Sequence, residues 1–447
     1  MGSILDNGLS GLKVSQQALN TTSNNIANIN TPGFTRQEAV VTSRSTNSGG
    51  LSAGSGAQLS DIRRISDEFS TTALRRATTE SGFASKTEDL MSQAENIVGS
   101  DSLSIAKGLD GFFASLNAAT DKPQSTATRQ QVIAESNAIA SRFNQMASSL
   151  SLQDQQITNE VQSTLRLANG LSSNIAKLNK SIAEAEAKGA NTSSLQDQRD
   201  GLIKDLAEKV DIRTTESSDG RISISLPKGQ PLVLGSQSAT LDYSGGDMEA
   251  TYNGQVFSVD SPGGEVGAMI DYQSGFLADT KTDLNSQAAT FADDINNQLA
   301  AGFDLNGNPG APLFAYSAVG EAETLQVSDT IQPDDLAFIG DDGFGAPLGG
   351  PGDNSNLKEM IDLKEPFYVA FNGTLGQLGI QSAQVQAEAS ASKNLLEDAQ
   401  FRRDSISSVN QDEEAAKLIS YTQAYQANAK VISTADRIFN ELLGALR

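Results

Sequence analysis

Apolar side chains recur every seven residues near the N-terminus of the chain. One row consists of Leu5, Leu12, Leu19 and Ile26, and Leu9 belongs to a second row. This period is typical of an amphipathic helix that packs against another helix. The pattern stops at residues 30–33, where proline restricts the preceding residue and glycine permits a turn. We therefore predict a helix over residues 4–29.

The C-terminal end repeats the same period in two rows. The residues singled out from this second seam are Leu418, Tyr421, Tyr425, Ile432, Phe439 and Leu442. An isolated amphipathic helix is marginal in water, so each apolar stripe requires a partner. We predict that the two terminal helices pair in a coiled-coil-like stalk. The eleven residues are candidate assembly-seam residues, although periodicity alone is equally compatible with an ordinary helical hairpin within one domain.

Between the two ends, the period of the pattern changes twice. Seven-residue periods predict helices over 61–97, 102–120, 126–188, 193–209 and 265–301. The longest of these needs either a break near residues 153–156 or a rod-shaped molecule. Alternating residues with Asp-Gly and Asn-Gly turns predict short strands over 211–262.

The remaining segments are predicted from turn residues and resumed helical patterns. A Ser/Gly-rich linker is predicted at 45–60, and loops at 302–353 contain a strand at Thr324–Val327. A last helical region starts near residue 375 and is interrupted near Ser407–Gln411.

Together these patterns predict a mainly α protein with an inserted β domain, arranged as an elongated multi-domain rod. Three domains are expected. Residues 1–44 with 405–447 form a terminal helical domain, and residues 45–210 with 263–404 form a second helical domain with long helices. The inserted small β domain comprises residues 211–262.

The amino-acid composition excludes several classes of catalytic and metal-binding site. The 447 residues include no histidine, cysteine or tryptophan, so histidine bases, thiolate metal sites and disulfides are absent. A net charge of −23 disfavours nucleic acid as a partner. The chain contains no long apolar run for membrane insertion, and its start lacks the pattern of a cleavable signal peptide. We identify no catalytic, cofactor-binding or metal-binding residues and expect no cofactor.

Two motifs carry a family resemblance. Residues 23–37 read SNNIANINTPGFTRQ, and residues 425–432 read YQANAKVI. Both resemble the terminal signatures of bacterial flagellar axial proteins of the rod, hook and hook-associated class. The motif residues are Ser23, Asn24, Asn25, Asn28, Thr31, Gly33, Arg36, Gln37, Tyr425, Gln426 and Asn428.

The interior narrows this resemblance. Residues 193–212, SSLQDQRDGLIKDLAEKVDI, followed by the strand segment PLVLGS, resemble the hook-associated protein 1 family. The resemblance implies a self-assembling, ring-forming structural subunit of the flagellar hook–filament junction. It also implies export by the flagellar type III apparatus to the outside of the cell. The implied partners are hook protein, a second junction protein or flagellin, and a dedicated export chaperone at the C-terminal region.

Two other functions remain open from the residues. A hook- or rod-type axial subunit would share the terminal motifs, and a β-dominated interior, unlike the helical patterns of 61–209, would favour hook protein. A surface adhesin or glycan-binding module would place its site in the β domain.

Overall fold

The structure is a computed structural model and describes residues 2–44 and 54–445. The described residues are mainly helical, and a π-helical turn at Gln273–Leu277 joins two of the helices. The helices are α1 (Gly2–Ala27), α2 (Glu68–Val98), α3 (Ile105–Thr120), α4 (Thr126–Glu186), α5 (Ser193–Lys209), α6 (Gly264–Tyr272), α7 (Ala278–Ala300), α8 (Glu321–Thr324), α9 (Ser355–Asp362), α10 (Lys364–Ser407) and α11 (Gln411–Ala445).

The strands form four small antiparallel sheets. The first is a hairpin of β1 (Gln37–Ser43) and β2 (Ala57–Arg64). A four-stranded sheet contains β3 (Arg213–Glu216), β4 (Ile222–Ser225), β5 (Pro231–Leu234) and β6 (Gln237–Ser238) in that order. A three-stranded sheet contains β7 (Thr240–Ser244), β8 (Asp247–Tyr252) and β9 (Gln255–Ser258), and the fourth pairs β10 (Phe314–Ala315) with β11 (Gln326–Val327). The predicted class, mainly α with an inserted β segment, is confirmed.

The chain divides into two compact units. The first unit takes its described residues from Met1–Gly82, Leu165–Gly264 and Ser392–Arg447, and the second comprises Phe83–Thr164 and Glu265–Ala391. The three-domain division predicted from the sequence remains a prediction.

In the first unit, two asparagines fasten the inserted sheets to α4. The Asn179 amide donates to the carbonyls of Ile222 and Gly235 at 2.7 and 2.9 Å and accepts from the Ile222 N–H. Asn169 donates to the Leu241 carbonyl at 2.8 Å and accepts from its N–H at 2.7 Å. Each side chain therefore satisfies backbone groups that would otherwise be buried without partners.

The core of the second unit is an aromatic cluster contributed by several helices. Phe291 of α7 lies at its centre, with its ring 6.3 Å from Phe143 of α4 and 5.2 Å from Phe367 of α10. Phe112 of α3 lies 5.4 Å from the same ring. Since aromatic rings bury large areas, this cluster holds the helices together.

Of the two alternatives that the sequence left open for residues 126–188, the structure has the continuous helix, α4, with no break near residues 153–156. Other predicted boundaries are wrong. Residues 57–64 form strand β2 rather than linker and helix, whereas residues 45–53 of the predicted linker lie outside the described residues.

Two boundaries near the C-terminus also differ. Helix α10 begins at Lys364, about ten residues earlier than predicted, because its proline falls in the first turn, where proline is tolerated. Only Gln326–Val327 of the predicted strand pairs with another strand, since residue 324 ends α8. The predicted interruption near Ser407–Gln411 is confirmed.

Candidate assembly interface

Helices α1 and α11 pack against each other as antiparallel partners. A Cβ built on Gly8 would lie 3.0 Å from Ile432 Cγ1, and one built on Gly11 would lie 2.6 Å from the Asn428 Oδ1 atom. Near the other end of α1, the Asn25 side chain contacts Glu414. Positions rise along α1 as they fall along α11, which defines the antiparallel register. The predicted pairing of the terminal helices is confirmed.

The α1 surface that faces α11 is made of small and polar side chains. They recur at alternating spacings of three and four residues, the spacing of one helix face. These residues, called the small face of α1, are Gly8, Gly11, Ser15, Ala18, Thr22 and Asn25. Small side chains permit a close approach of two helices, because the distance between helix axes depends on the side chains at the contact.

The predicted seam residues of α1 flank this small face rather than forming it. All of them except Leu9 are half-buried, and Leu9 is 48% exposed. On α11, Tyr421, Tyr425 and Ile432 are half-buried on the side of α1. Leu418, Phe439 and Leu442 are exposed. In this register Phe439 and Leu442 lie beyond the first residue of α1, so that helix does not cover them.

Asn25 is the polar centre of the helix pair and is 1% exposed. Its amide donates to the Gln37 carbonyl at 2.9 Å and to Glu414 Oε2 at 3.0 Å. Its oxygen accepts from the Gln37 N–H at 3.0 Å. The fully buried Glu414 also receives Lys417 Nζ at 2.8 Å. One motif asparagine thus joins α1, β1 and the start of α11.

Residues 31–36, called the TPGF segment after its first four residues, contact the junction of α10 and α11. The Arg36 N–H donates to the Ser407 carbonyl at 2.8 Å, and the Arg36 side chain forms an ion pair with Glu413 at 2.6 Å. Arg403 donates to the Gly33 carbonyl and to the Thr35 hydroxyl at 3.3 and 3.2 Å. Gly33 has φ +78°, a conformation that favours glycine.

The other motif residues do not join this network. Asn28 bonds locally, donating to the Asn24 carbonyl and accepting from the Thr31 hydroxyl. Ser23, Asn24, Thr31 and Gln426 are exposed. Tyr425 and Asn428 are half-buried on α11, where Asn428 covers Gly11.

A cluster of charged side chains from β2, α2 and α5 also contacts the TPGF segment. The Thr35 N–H donates to Asp197 Oδ2 at 3.3 Å, and Arg64 pairs with Asp197 and Asp200 at 3.1 and 2.6 Å. Arg75 also reaches Asp200, at 3.3 Å. Burial raises the pKa of the Asp197 carboxyl, although the Arg64 charge opposes this shift.

Arg64 and Arg403 were not identified from the sequence as members of this site. Both occur in segments distant from residues 23–37 and 425–432, and no local spacing relates them to these motifs. Glu413 and Glu414 belong to a segment, residues 412–415, that also resembles the C-terminal signature of flagellar axial proteins, but their partners could not be read from it. The small face, in contrast, has a readable signal. Gly8, Gly11, Ala18 and Asn25 each lie one position before an apolar seam residue, and Ser15 and Thr22 complete the alternating three- and four-residue spacing.

The described residues contain no cluster of three or more histidine, cysteine, aspartate or glutamate side chains suited to a metal ion. Among the same residues, no helix is long and apolar enough to cross a membrane.

Sequence comparisons match the terminal segments and the interior to flagellar proteins. A flagella basal body rod protein profile matches residues 5–35, and a flagellar basal body rod FlgEFG protein C-terminal profile matches residues 403–445. The profile of the flagellar hook-associated protein FlgK helical domain matches residues 91–314, half of the chain.

Curated relatives cover nearly the whole chain. Flagellar hook-associated protein 1 of Escherichia coli K12 is 27% identical over 544 aligned residues, covering 99% of this chain and 100% of the relative. The protein of the same name from Bacillus subtilis 168 is 26% identical, covering 99% and 98%. The solved structure of the flagellar hook junction protein FlgK from Burkholderia pseudomallei is 27% identical, with a TM-score of 0.51 over 55% of this chain and 46% of that chain.

The paired termini and the matched terminal segments define a structural protein of the bacterial flagellar axis. The long helices α2 to α5 are those expected of a junction protein, whereas a β-dominated interior would have favoured hook protein. The chain belongs to the flagellar hook-associated protein FlgK family.

Proposed function

We propose that this chain is a structural subunit that joins the hook of the bacterial flagellum to its filament. The observation that carries the proposal is that small and large side chains occupy different faces of the terminal helices. The small face of α1 accounts for pairing within the chain, and large apolar side chains remain uncovered around it. Leu9, Phe439 and Leu442 are each close to half exposed. Uncovered apolar side chains concentrated on one pair of helices mark an interaction surface.

In the proposed assembly, neighbouring copies of the chain cover these exposed side chains. Residues 1–44 with 405–447 then form the inner domain of a tube, and a ring of copies buries the seam residues of both helices. Residues 45–210 with 263–404 surround this tube as a helical domain, and residues 211–262 project as the inserted β domain.

The proposed partners follow from this position. Hook protein lies on one side of the ring, and a second junction protein or flagellin lies on the other. The subunit reaches the cell exterior through the flagellar type III apparatus, after a dedicated chaperone has held its C-terminal region. In this function the chain catalyses no reaction.

The proposal is tested by placing a charge on the uncovered apolar side chains. Leu9→Glu and Leu442→Glu are each expected to abolish incorporation at the hook tip, because burying an unpaired carboxylate in the assembly is costly. Val256→Glu is the matched control, since this exposed valine lies on β9 and is 58% exposed.

Three quantities separate the possible outcomes of this test. Secretion into the medium reports export, circular dichroism of the purified chain reports folding, and a fluorescent label on the chain reports incorporation at hook tips. The proposal holds if the two leucine variants are exported and folded but do not incorporate, while Val256→Glu does. Normal incorporation of both leucine variants would refute it.

A further inference from the structure

The second compact unit carries two exposed helix faces without charged residues. This is unusual for a chain in which 19% of the residues are charged and the net charge is −23. Charged residues are depleted at the centres of protein interfaces, where they would lose their hydration. Both faces therefore have the composition of a covered surface.

The first uncharged surface, called the α10 face, lies on α10. Residues 366–387 contain no aspartate, glutamate, lysine or arginine. The exposed members, at alternating three- and four-residue spacing, are Val369, Gly373, Gly376, Ile380, Ala383 and Ala387. Val369 is 63% exposed and Ile380 is 73% exposed. The opposite side of the helix is anchored in the core by Phe371 and Leu378, which are buried.

The glycines of this face have no explanation within the chain. A Cβ added to Gly373 or Gly376 would meet nothing within 4 Å. Each glycine in a helix interior costs about 1 kcal/mol relative to alanine. Since the chain itself does not need the space, these glycines match the close approach of a helix from outside.

The second uncharged surface, called the α4 face, lies on α4. Its members are exposed and uncharged over more than seven turns of the helix: Gln131, Ala134, Ala138, Ser141, Gln145, Ser148, Leu152, Gln155 and Asn159. Leu152 is its large apolar side chain and is 59% exposed. Each face thus has protruding apolar side chains among small or uncharged neighbours, which suits the interlocking of two helices.

The two helices that carry these faces both pack on the aromatic core. The ring of Phe291 of α7 lies 6.3 Å from Phe143 of α4 and 5.2 Å from Phe367 of α10. On α4, Phe143 is nine residues before Leu152, and on α10 the buried Phe371 is nine residues before Ile380. Nine residues place two side chains on opposite sides of a helix, so each face points away from the core.

We infer that the α10 face of one copy packs on the α4 face of the next copy. This inference rests on the proposed assembly of copies into a ring and names a lateral contact within it. Two different faces of one subunit form a head-to-tail contact, which generates closed rings or open helices. Copies with a net charge of −23 repel each other, so an uncharged strip on each side is where they approach with the smallest electrostatic cost.

Gly376→Leu tests this contact against a control glycine on another helix. Gly201→Leu is that control, because Gly201 is exposed in the interior of α5, a Cβ there also meets nothing within 4 Å, and α5 carries neither of the two faces. In the purified chain, both variants are expected to raise the melting temperature or leave it unchanged. In the assembly, Gly376→Leu is expected to reduce the number of incorporated copies about tenfold or more, and Gly201→Leu to have no effect.

Engineered cysteines give a second readout, because the chain contains no cysteine of its own. Cells producing a mixture of Leu152→Cys and Ile380→Cys copies are treated with a short thiol crosslinker after the flagella are isolated. A dimer is expected from this mixture but not from Leu152→Cys mixed with Glu95→Cys, in which the second cysteine lies on the exposed side of α2.

The outcomes separate this inference from the proposed function. If the wild-type chain fails to incorporate at the hook tip, the proposed function fails. If the wild-type chain incorporates but Gly376→Leu does so equally well and no dimer forms, the contact between the α4 and α10 faces is wrong and the proposed function stands.

Discussion

Replacing Asn25 by aspartate tests the account of the terminal helix pair most directly. The two side chains have almost the same shape, so packing is preserved. Aspartate keeps the acceptor for the Gln37 N–H but loses both donors, to the Gln37 carbonyl and to Glu414 Oε2. Each buried group left without a partner costs about 1–3 kcal/mol, so the expected loss for the two groups is about 2–6 kcal/mol. The new carboxylate also faces the Glu414 carboxylate at close range, which adds repulsion.

The size of this loss is predicted to depend on pH. Burial and the neighbouring carboxylate raise the pKa of the introduced carboxyl in the folded state above its ordinary value of about 3.9. The folded variant therefore holds a proton that the unfolded chain has lost, and its stability falls as pH rises through this window. We expect near-neutral pH to give the full loss and pH near 4 to restore part of it.

Hydrogen exchange of the α1 amides measures the effect locally. A loss of 2 kcal/mol or more accelerates exchange through local opening by roughly 30-fold or more. Asn24→Asp is the control, because Asn24 is exposed on the same helix and should change the opening free energy by no more than about 0.5 kcal/mol. Equal protection of α1 in wild type and Asn25→Asp at neutral pH would refute the role assigned to Asn25.

Three further outcomes are expected. Arg129→Lys should destabilise the second unit by about 2–4 kcal/mol. The buried Arg129 donates to the carbonyls of Pro123, Pro333 and Leu336, and a lysine side chain cannot reproduce this geometry. Urea unfolding measures the loss, and the exposed Arg166→Lys is the control. Burial raises the pKa of the Tyr272 hydroxyl, so stability should fall as pH rises above about 10, and Tyr272→Phe should flatten that fall in denaturation at pH 7 and 10.5. Deleting residues 1–30 should leave a folded, exported chain that does not incorporate at the hook tip, and incorporation of the deleted chain would contradict the role of α1.

The sequence predicts elements whose pattern is local and repeated. The apolar period over 126–188 predicts α4 almost to the residue, and the turn dipeptides of 211–262 predict the region that contains β3 to β9. The hairpin of β1 and β2 was missed because its residues are half-buried or exposed and none is buried, so the sequence lacks a row of large apolar side chains that marks a core strand. Its pairing depends on residues about twenty apart and on contacts with α1, such as the Ala57 N–H that donates to Ser10 Oγ.

The candidate site was predictable only in part. The seven-residue row predicts that the terminal helices pair, but it does not predict which face of α1 meets α11. That choice depends on the fit of Gly8 and Gly11 to Ile432 and Asn428, residues more than 400 positions away in the chain. The burial of Glu414 is equally invisible in the sequence, because its partner Asn25 lies at the other end of the chain.

The use of small residues at the intramolecular contact has a consequence for assembly. If the leucine row of α1 packed directly on α11, a single chain would bury its own apolar stripe. Little apolar surface would then remain exposed to a neighbouring copy. Because Gly8, Gly11 and Ala18 make that contact instead, pairing depends on close approach and on the bonds of Asn25, and the large apolar side chains stay available. The burial of one Leu-sized side chain contributes about 1.5–3 kcal/mol. Leu9, Phe439 and Leu442, which the chain leaves close to half exposed, would therefore add apolar free energy if copies covered them in the proposed assembly.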